Sequence, residues 1–188
     1  MTAALPGADG IERCPWGNST EDYAAYHDEE WGVPLRGVNA LYERLSLEAF
    51  QSGLSWLTIL RKREGFRKAF KKFDSKKVAK FADADVERLM NDVSIVRNRA
   101  KIEATIRNAR MIAELDVPLD DLLWSFAPEP GPRPVLTSDI PAITPESKAM
   151  AKELKRRGFA FVGPTTAYAL MQAAGMVDDH LATCWRAK

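Results

Sequence analysis

Cysteine and histidine are scarce in this 188-residue sequence: Cys14, Cys184, His27 and His180 are all it has. Two cysteines cannot supply the disulfide density of small secreted scaffolds, and a chain of this length does not need it to bury a core. Long apolar runs are missing too, since no segment reaches the ~18 residues of a membrane span. The first ten residues lack the positive start and apolar stretch of a signal peptide, so residues 1–12 read as a loose leader. Neither charge sign dominates. With 27 Lys and Arg against 26 Asp and Glu, the net +1 excludes binding to polyanions through overall charge and leaves that role to a local basic face. These absences lead us to expect a cytoplasmic, membrane-free monomer without an obligate protein partner, whose cysteines are thiols or metal ligands.

Sustained period-two alternation and internal repeats are also absent, and the periodicity that is present is helical, so the fold class expected is all-α. Hydrophobic residues at 46% and charged residues at 28% are ordinary for a globular domain, which argues against disorder. A helix over Asn39–Ser52, capped by Asn39, carries Leu41, Tyr42, Leu45 and Ala49 as its apolar stripe. Glu48 lies one step off that stripe, within the arc of Leu41, so its carboxylate points toward covered surface. Further helices are expected over Trp56–Arg63, Phe66–Phe73, after Asp74, after Asp83, and over Val96–Leu115, Pro118–Phe126 and Pro145–Arg157. Pro128, Pro130, Pro132 and Pro134 impose an extended linker. Pro164 suits a first helical turn, and Gly175 ends that helix.

His180 and Cys184, four apart, would face the same way on one helical turn, and the 12 residues between Cys14 and His27 let a loop fold back to meet them. The pattern is compatible with a Cys2His2 zinc site, with a Cys14–Cys184 disulfide, or with four side chains used separately. Four protein ligands would leave no open coordination position, so such a zinc would be structural and would tie the termini together.

Arg157 to Ala167 places a short glycine-bounded turn between two helices, Gly158-Phe159-Ala160-Phe161-Val162-Gly163 followed by Pro164-Thr165. This is helix-hairpin-helix logic: backbone N–H groups around Gly163 and Thr165 can hold a DNA phosphate without reading sequence. A plain helix–turn–helix connection is the competing reading, and Phe161 stands where the motif usually begins with glycine. Val177-Asp178-Asp179-His180 follows, where base-excision glycosylases with this motif usually carry a catalytic aspartate. Their bifunctional members also carry a hairpin lysine as amine nucleophile; Thr165 stands there instead, so no strand cutting is expected.

Arg13-Cys14-Pro15-Trp16, Tyr26-His27-Asp28-Glu29-Glu30-Trp31-Gly32-Val33-Pro34, Leu47-Glu48 with Gln51-Ser52-Gly53-Leu54-Ser55-Trp56, and Ile95-Val96-Arg97-Asn98-Arg99-Ala100-Lys101-Ile102 occur in order along the chain. Together with the glycine-bounded hairpin they resemble the 3-methyladenine DNA glycosylase I family, from Arg13 to about Cys184. The resemblance implies zinc on Cys14, His27, His180 and Cys184, and a base pocket of Glu48, Trp56, Tyr23, Tyr26 and Trp31. It implies an architecture of one unit over 13–188, two helical lobes with the pocket between them. Its substrate would be N3-methyladenine in double-stranded alkylated DNA, a cationic base on an already weakened glycosidic bond. Stacking on Trp56 with a cation–π contribution, and a Glu48 hydrogen bond, would favour it over neutral adenine. A helix-edge Glu that reaches solvent is the alternative for Glu48, and motif context decides against it. Leu54 resembles the apolar wedge that fills the space left by an extruded nucleotide, a buried turn leucine being the alternative.

The chain departs from the family at Asp178, where Asn is common. Asp178 would either stabilise a developing sugar cation or orient water, making it a second catalytic carboxylate beside Glu48, or cap a helix or orient a metal ligand. The basic cluster Arg61, Lys62, Arg63, Arg67, Lys68, Lys71 and Lys72 reads as solvated helix faces. Two rival readings are a non-catalytic helix-hairpin-helix module for damaged DNA and a zinc-stabilised interaction protein with no DNA role.

Overall fold

Polar residues open most of the helices as the pattern predicts. In the computed structural model, which describes residues 2–187, Ser55, Asp74, Asn98 and Thr144 accept hydrogen bonds from the backbone N–H three residues on. The resulting helices are α1 (Glu21–Glu29), α2 (Val38–Gln51), α3 (Trp56–Ala69), α4 (Ser75–Val78), α5 (Asp83–Met90), α6 (Arg99–Ala113), α7 (Leu119–Trp124), α8 (Pro145–Arg156) and α9 (Pro164–Ala173). Their buried residues form one continuous core. The segment read as a leader carries a short antiparallel pair, β1 (Leu5–Pro6) and β2 (Glu12–Arg13), with Leu5 opposite Arg13. No described helix is long and apolar enough to cross a membrane.

Three local expectations are corrected. Asn39 does not cap α2: the helix begins one residue earlier behind Gly37, and the Asn39 Oδ1 instead accepts from Ser75 N–H and Oγ–H, both at 3.1 Å. The predicted break between Arg63 and Phe66 is absent, and α3 runs through Gly65. A Cβ there would stand 2.5 Å from the Ser94 carbonyl oxygen, so the glycine serves a close approach and not a helix end. The helix then stops at Ala69, four residues short of Phe73, because Lys71, Lys72 and Phe73 all adopt positive φ, near 50–60°. Such left-handed residues cost of order 1 kcal/mol each; full burial of the Phe73 ring against Tyr42 and Phe70 offsets this.

The predicted stripe of α2 is buried, Leu41, Tyr42 and Leu45 completely, and it packs against α3, α6 and α9. Residues 127–134 form neither helix nor strand, in keeping with their prolines, and are held at Pro134, whose carbonyl accepts from Ala182 N–H at 2.8 Å. Beyond them a single 3-10 turn, Thr137–Asp139, is braced by Thr137 N–H donating to the Thr2 carbonyl. This strap ends over the mouth formed by α1, α2, α3 and α9.

Candidate functional site

That mouth opens into a cavity of about 390 Å³ lined by Trp16, Tyr23, Tyr26, Trp31, Glu48, Gln51, Trp56, Thr137, Ile140, Ala169 and Gln172. Each expected pocket residue, Glu48, Trp56, Tyr23, Tyr26 and Trp31, is on its wall. Trp16 stands edge-on to Tyr23 and Trp31, with centroids 5.5 and 5.2 Å away, and Tyr26 lies 5.4 Å from Trp56. The Trp56 Nε1–H is buried without an acceptor among the described residues.

Helix α2 carries Glu48 into this aromatic wall, where it is only 5% exposed. Burial pushes its carboxyl up to about 7, against the opposing pull of the Arg44 guanidinium. Arg44 stays near because it donates to the Tyr26 hydroxyl at 2.8 Å and to Glu30 at 3.2 Å, while Arg63 grips Glu30 through both amino groups. The Tyr23 hydroxyl accepts from Leu57 N–H, satisfying one of the free donors in the first turn of α3 behind Trp56. The chemistry on offer is an aromatic, electron-rich slot with one buried carboxyl, suited to an aromatic cation.

Beside the pocket, the ligand atoms of Cys14, His27 and Cys184 lie within 4.8 Å of one another, all three residues buried. The His180 ring meets that of His27 edge-on at 4.9 Å, and its Nε2 is buried without a partner. Each histidine has a carboxylate at its other nitrogen: Asp28 Oδ1 at 2.8 Å from His27 Nδ1, and Asp178 Oδ1 at 2.8 Å from His180 Nδ1. An ionised carboxylate only accepts, so the proton sits on Nδ1 of each ring; His27 Nε2 then lies 3.5 Å from Cys184 Sγ, and His180 Nε2 is the one left without a partner. A hydrogen bond with Cys14 and another with His27 pull the Cys184 thiol down, whereas its neighbour Cys14 is pushed up. Two sulfurs and the His27 nitrogen are grouped closely enough to hold a metal, while His180 Nε2, an orphaned buried acceptor, stands beside them outside that group. The expected helical turn over His180–Cys184 is not there. The two residues stand in irregular chain before a 3-10 turn at Trp185–Ala187. Gly32, φ 75°, is required beside them, because a Cβ there would come within 2.7 Å of His180 Cε1.

Asp178 is not brought to Glu48. It lines a different cavity with the proline strap; its Oδ1 accepts from the His180 side chain and backbone, and its Oδ2 pairs with Arg133 at 2.7 Å. Burial raises its carboxyl, but these hydrogen bonds outweigh burial and bring it down to about 2. Leu54 protrudes, 42% exposed, from the turn between α2 and α3, where Gly53 has φ 80°. Gly163 caps α9, and Thr165 sits in its first turn, leaving backbone N–H groups without helical partners. Phe161 takes φ 56° and is 41% exposed, so the hairpin keeps a left-handed residue where the motif usually has glycine.

Trp16, Gln51, Thr137, Ile140, Ala169 and Gln172 belong to the wall and were not predicted there. Trp16 and Gln51 stand inside motifs already noted, which is the signal that could have found them. Thr137 and Ile140 arrive from a distant loop without any local pattern.

A protein-family model described as methyladenine glycosylase matches residues 16–187. DNA-3-methyladenine glycosylase 1 of Escherichia coli (strain K12) is 46% identical over 182 residues, covering 93% of this chain and 96% of the relative. A crystal structure of 3-methyladenine DNA glycosylase I superposes with a TM-score of 0.89 at 44% identity, covering 92% of this chain and 98% of that one. The Staphylococcus aureus 3-methyladenine DNA glycosylase I, in a structure concerned with 3-methyladenine recognition, gives 0.87 at 36% identity, with 92% and 95% covered. The aromatic slot around a buried carboxylate is thus seated in a chain that belongs, over nearly its whole length, to the methyladenine glycosylase family.

Proposed function

We propose that this protein hydrolyses the N-glycosidic bond of N3-methyladenine in alkylated duplex DNA, leaving an abasic site, with residues 13–188 acting as one glycosylase unit. The observation that carries this reading is Glu48, a buried carboxyl in an otherwise aromatic slot. A methylated purine is cationic while attached to the sugar, and its ionic attraction offsets the cost of keeping Glu48 charged. Neutral adenine offers no such return. Trp56 and Tyr26 supply the stacking surfaces of the slot, and Leu54 would fill the space the flipped nucleotide leaves.

In the reaction the C1′–N bond breaks and its electron pair passes to the ring, so the base departs neutral without needing a proton. Water adds to the resulting sugar cation at C1′ and loses its proton to solvent. The first-turn N–H groups of α9 would hold the phosphate backbone during this step. Thr165 supplies no amine, and the Lys101 ammonium is taken up by the Phe50 and Ser52 carbonyls, so we assign no lyase step.

We assign Cys14, His27, His180 and Cys184 to a structural zinc. Bound there, it would cross-link the two terminal segments, with four protein donors and no open position for substrate. Asp28 and Asp178 would orient its histidines, and we place Asp178 in that role instead of a catalytic one, because both its oxygens are engaged away from the slot. Buried free thiols of this kind suit a cytoplasmic setting. Release of free 3-methyladenine from methylated duplex DNA tests the function; a folded protein that releases none would end it.

A further inference from the structure

Helix α6 takes no part in the slot or the metal cluster, yet it buries three polar side chains at positions i, i+4 and i+7: Lys101, Thr105 and Asn108, at 7%, 2% and 1% exposure. Buried polar groups survive where their partners need them, and two of these three serve turns that the function uses. Lys101 Nζ donates to the carbonyls of Phe50, at 2.9 Å, and Ser52, at 2.6 Å. Those carbonyls close the C-terminus of α2 and open the turn that presents Leu54. Asn108 grips the other turn from both sides: its Nδ2 donates to the Ala160 carbonyl at 3.1 Å, and its Oδ1 accepts from Ala160 N–H at 2.8 Å. Between them, the Thr105 carbonyl accepts from the Tyr42 hydroxyl on α2 at 2.9 Å, tying the rod to the helix that carries Glu48.

We propose that α6 is a brace that sets the separation between the Leu54 wedge and the hairpin, with Lys101 and Asn108 as positioning residues for nucleotide extrusion. The two are seven residues, about 10 Å, apart on a rigid helix. The Leu54 turn is closed by one backbone hydrogen bond, from Leu54 N–H to the Gln51 carbonyl at 2.7 Å, and tied to α6 at its base by Lys101. It contains Gly53 at positive φ and residues that are largely exposed, so its shape rests on the α2 C-terminus, where a cation also suits the helix dipole. A wedge that pushes into a base stack while the hairpin holds phosphate requires the two turns to resist each other through the protein. The α6 contacts are a direct mechanical route for that load.

This proposal rests on the glycosylase reading, and the experiment separates the two. Excision from methylated duplex DNA is measured under single-turnover conditions for wild type, Leu54→Ala, Lys101→Gln, Lys101→Gln with Leu54→Ala, and Asn108→Ala. Binding of free 3-methyladenine, read by tryptophan fluorescence, reports the slot alone. Lys101→Gln is expected to slow excision roughly 10- to 100-fold, with free-base affinity within about twofold. It should add little once Leu54 is already Ala, because it acts through the wedge. Asn108→Ala should mainly weaken DNA affinity. Equal slowing by Lys101→Gln with and without Leu54, or parallel loss of excision and free-base binding, would overturn the proposal by making Lys101 a general fold residue. If Lys101→Gln does not fold, Lys101→Arg carries the same comparison: retained excision supports the cation-to-carbonyl contact, and loss of excision and free-base binding together refutes it. Absence of excision by wild type would instead refute the glycosylase reading.

Discussion

Asp178 holds the Nδ1 of His180 at 2.8 Å and lines a different cavity from Glu48. The two carboxylates that the sequence offers to catalysis are thereby separated in role. Asp178→Asn keeps an acceptor for His180, and we expect its excision rate to stay within about threefold of wild type. Asp178→Ala removes the acceptor and should weaken retention of the proposed zinc by ~10- to 100-fold, read by competition with a chromophoric chelator. A large excision defect in the Asn variant with zinc fully retained would return Asp178 to the reacting centre.

Glu48 makes excision depend on pH. Its carboxyl titrates at about 7 in the free protein, and only the ionised form attracts a cationic base. Excision at limiting substrate should therefore rise as pH increases through about 7 and level off above it. Glu48→Gln should be slower at pH 8 and should lose that rise. A wild-type profile that is flat between pH 6 and 8 would contradict this role.

The same burial has an opposite consequence for stability. Because the folded value is raised above the ordinary 4.5, the native state holds the proton more tightly than the unfolded chain, and stability falls as pH rises from about 4.5 through about 7. The shift corresponds to about 3 kcal/mol. Glu48→Gln should match wild type in urea unfolding at pH 4 and exceed it at pH 8 by up to that amount. Equal stability at both pH values would mean that Glu48 reaches solvent.

Much of this arrangement could be read from residue order. The α2 stripe placed Glu48 on a covered face, and Asp74 caps where it was expected to, whereas the helix expected from Val96 starts only at Arg99, capped by Asn98. Asn39 misled because glycine at 37, φ 95°, turns the chain one residue earlier and the Asp120 carboxylate accepts from its N–H, work that the local sequence assigns to a side-chain cap. Gly65 misled in the other direction, since a glycine needed for contact with Ser94 looks like a glycine that ends a helix. The helical turn expected to pair His180 with Cys184 is absent, and it is tertiary packing that sets the His180 ring edge-on to His27 and brings Cys184 to Cys14 and His27. Thr137 and Ile140 could not be foreseen because a proline strap brings them across the surface.

The proposed metal site should bear on stability more than on chemistry. Cys184→Ser removes one donor from a buried set that joins the chain ends, and should lower the thermal midpoint by several degrees. Excision at a temperature where the variant remains folded should stay within about tenfold of wild type, since no step is routed through the metal. Loss of excision with an unchanged midpoint would contradict a structural role.

Glu48 and Trp56 carry the central claim, so the most direct measurement is single-turnover release of free 3-methyladenine from methylated duplex DNA by wild type, Glu48→Gln and Trp56→Ala, with folding verified for each. The account predicts release by wild type, no detectable release of normal adenine, and losses of about tenfold or more in both variants, consistent with the ~1.4 kcal/mol that a single charged or stacking contact readily supplies. Release by either variant at the wild-type rate would contradict it.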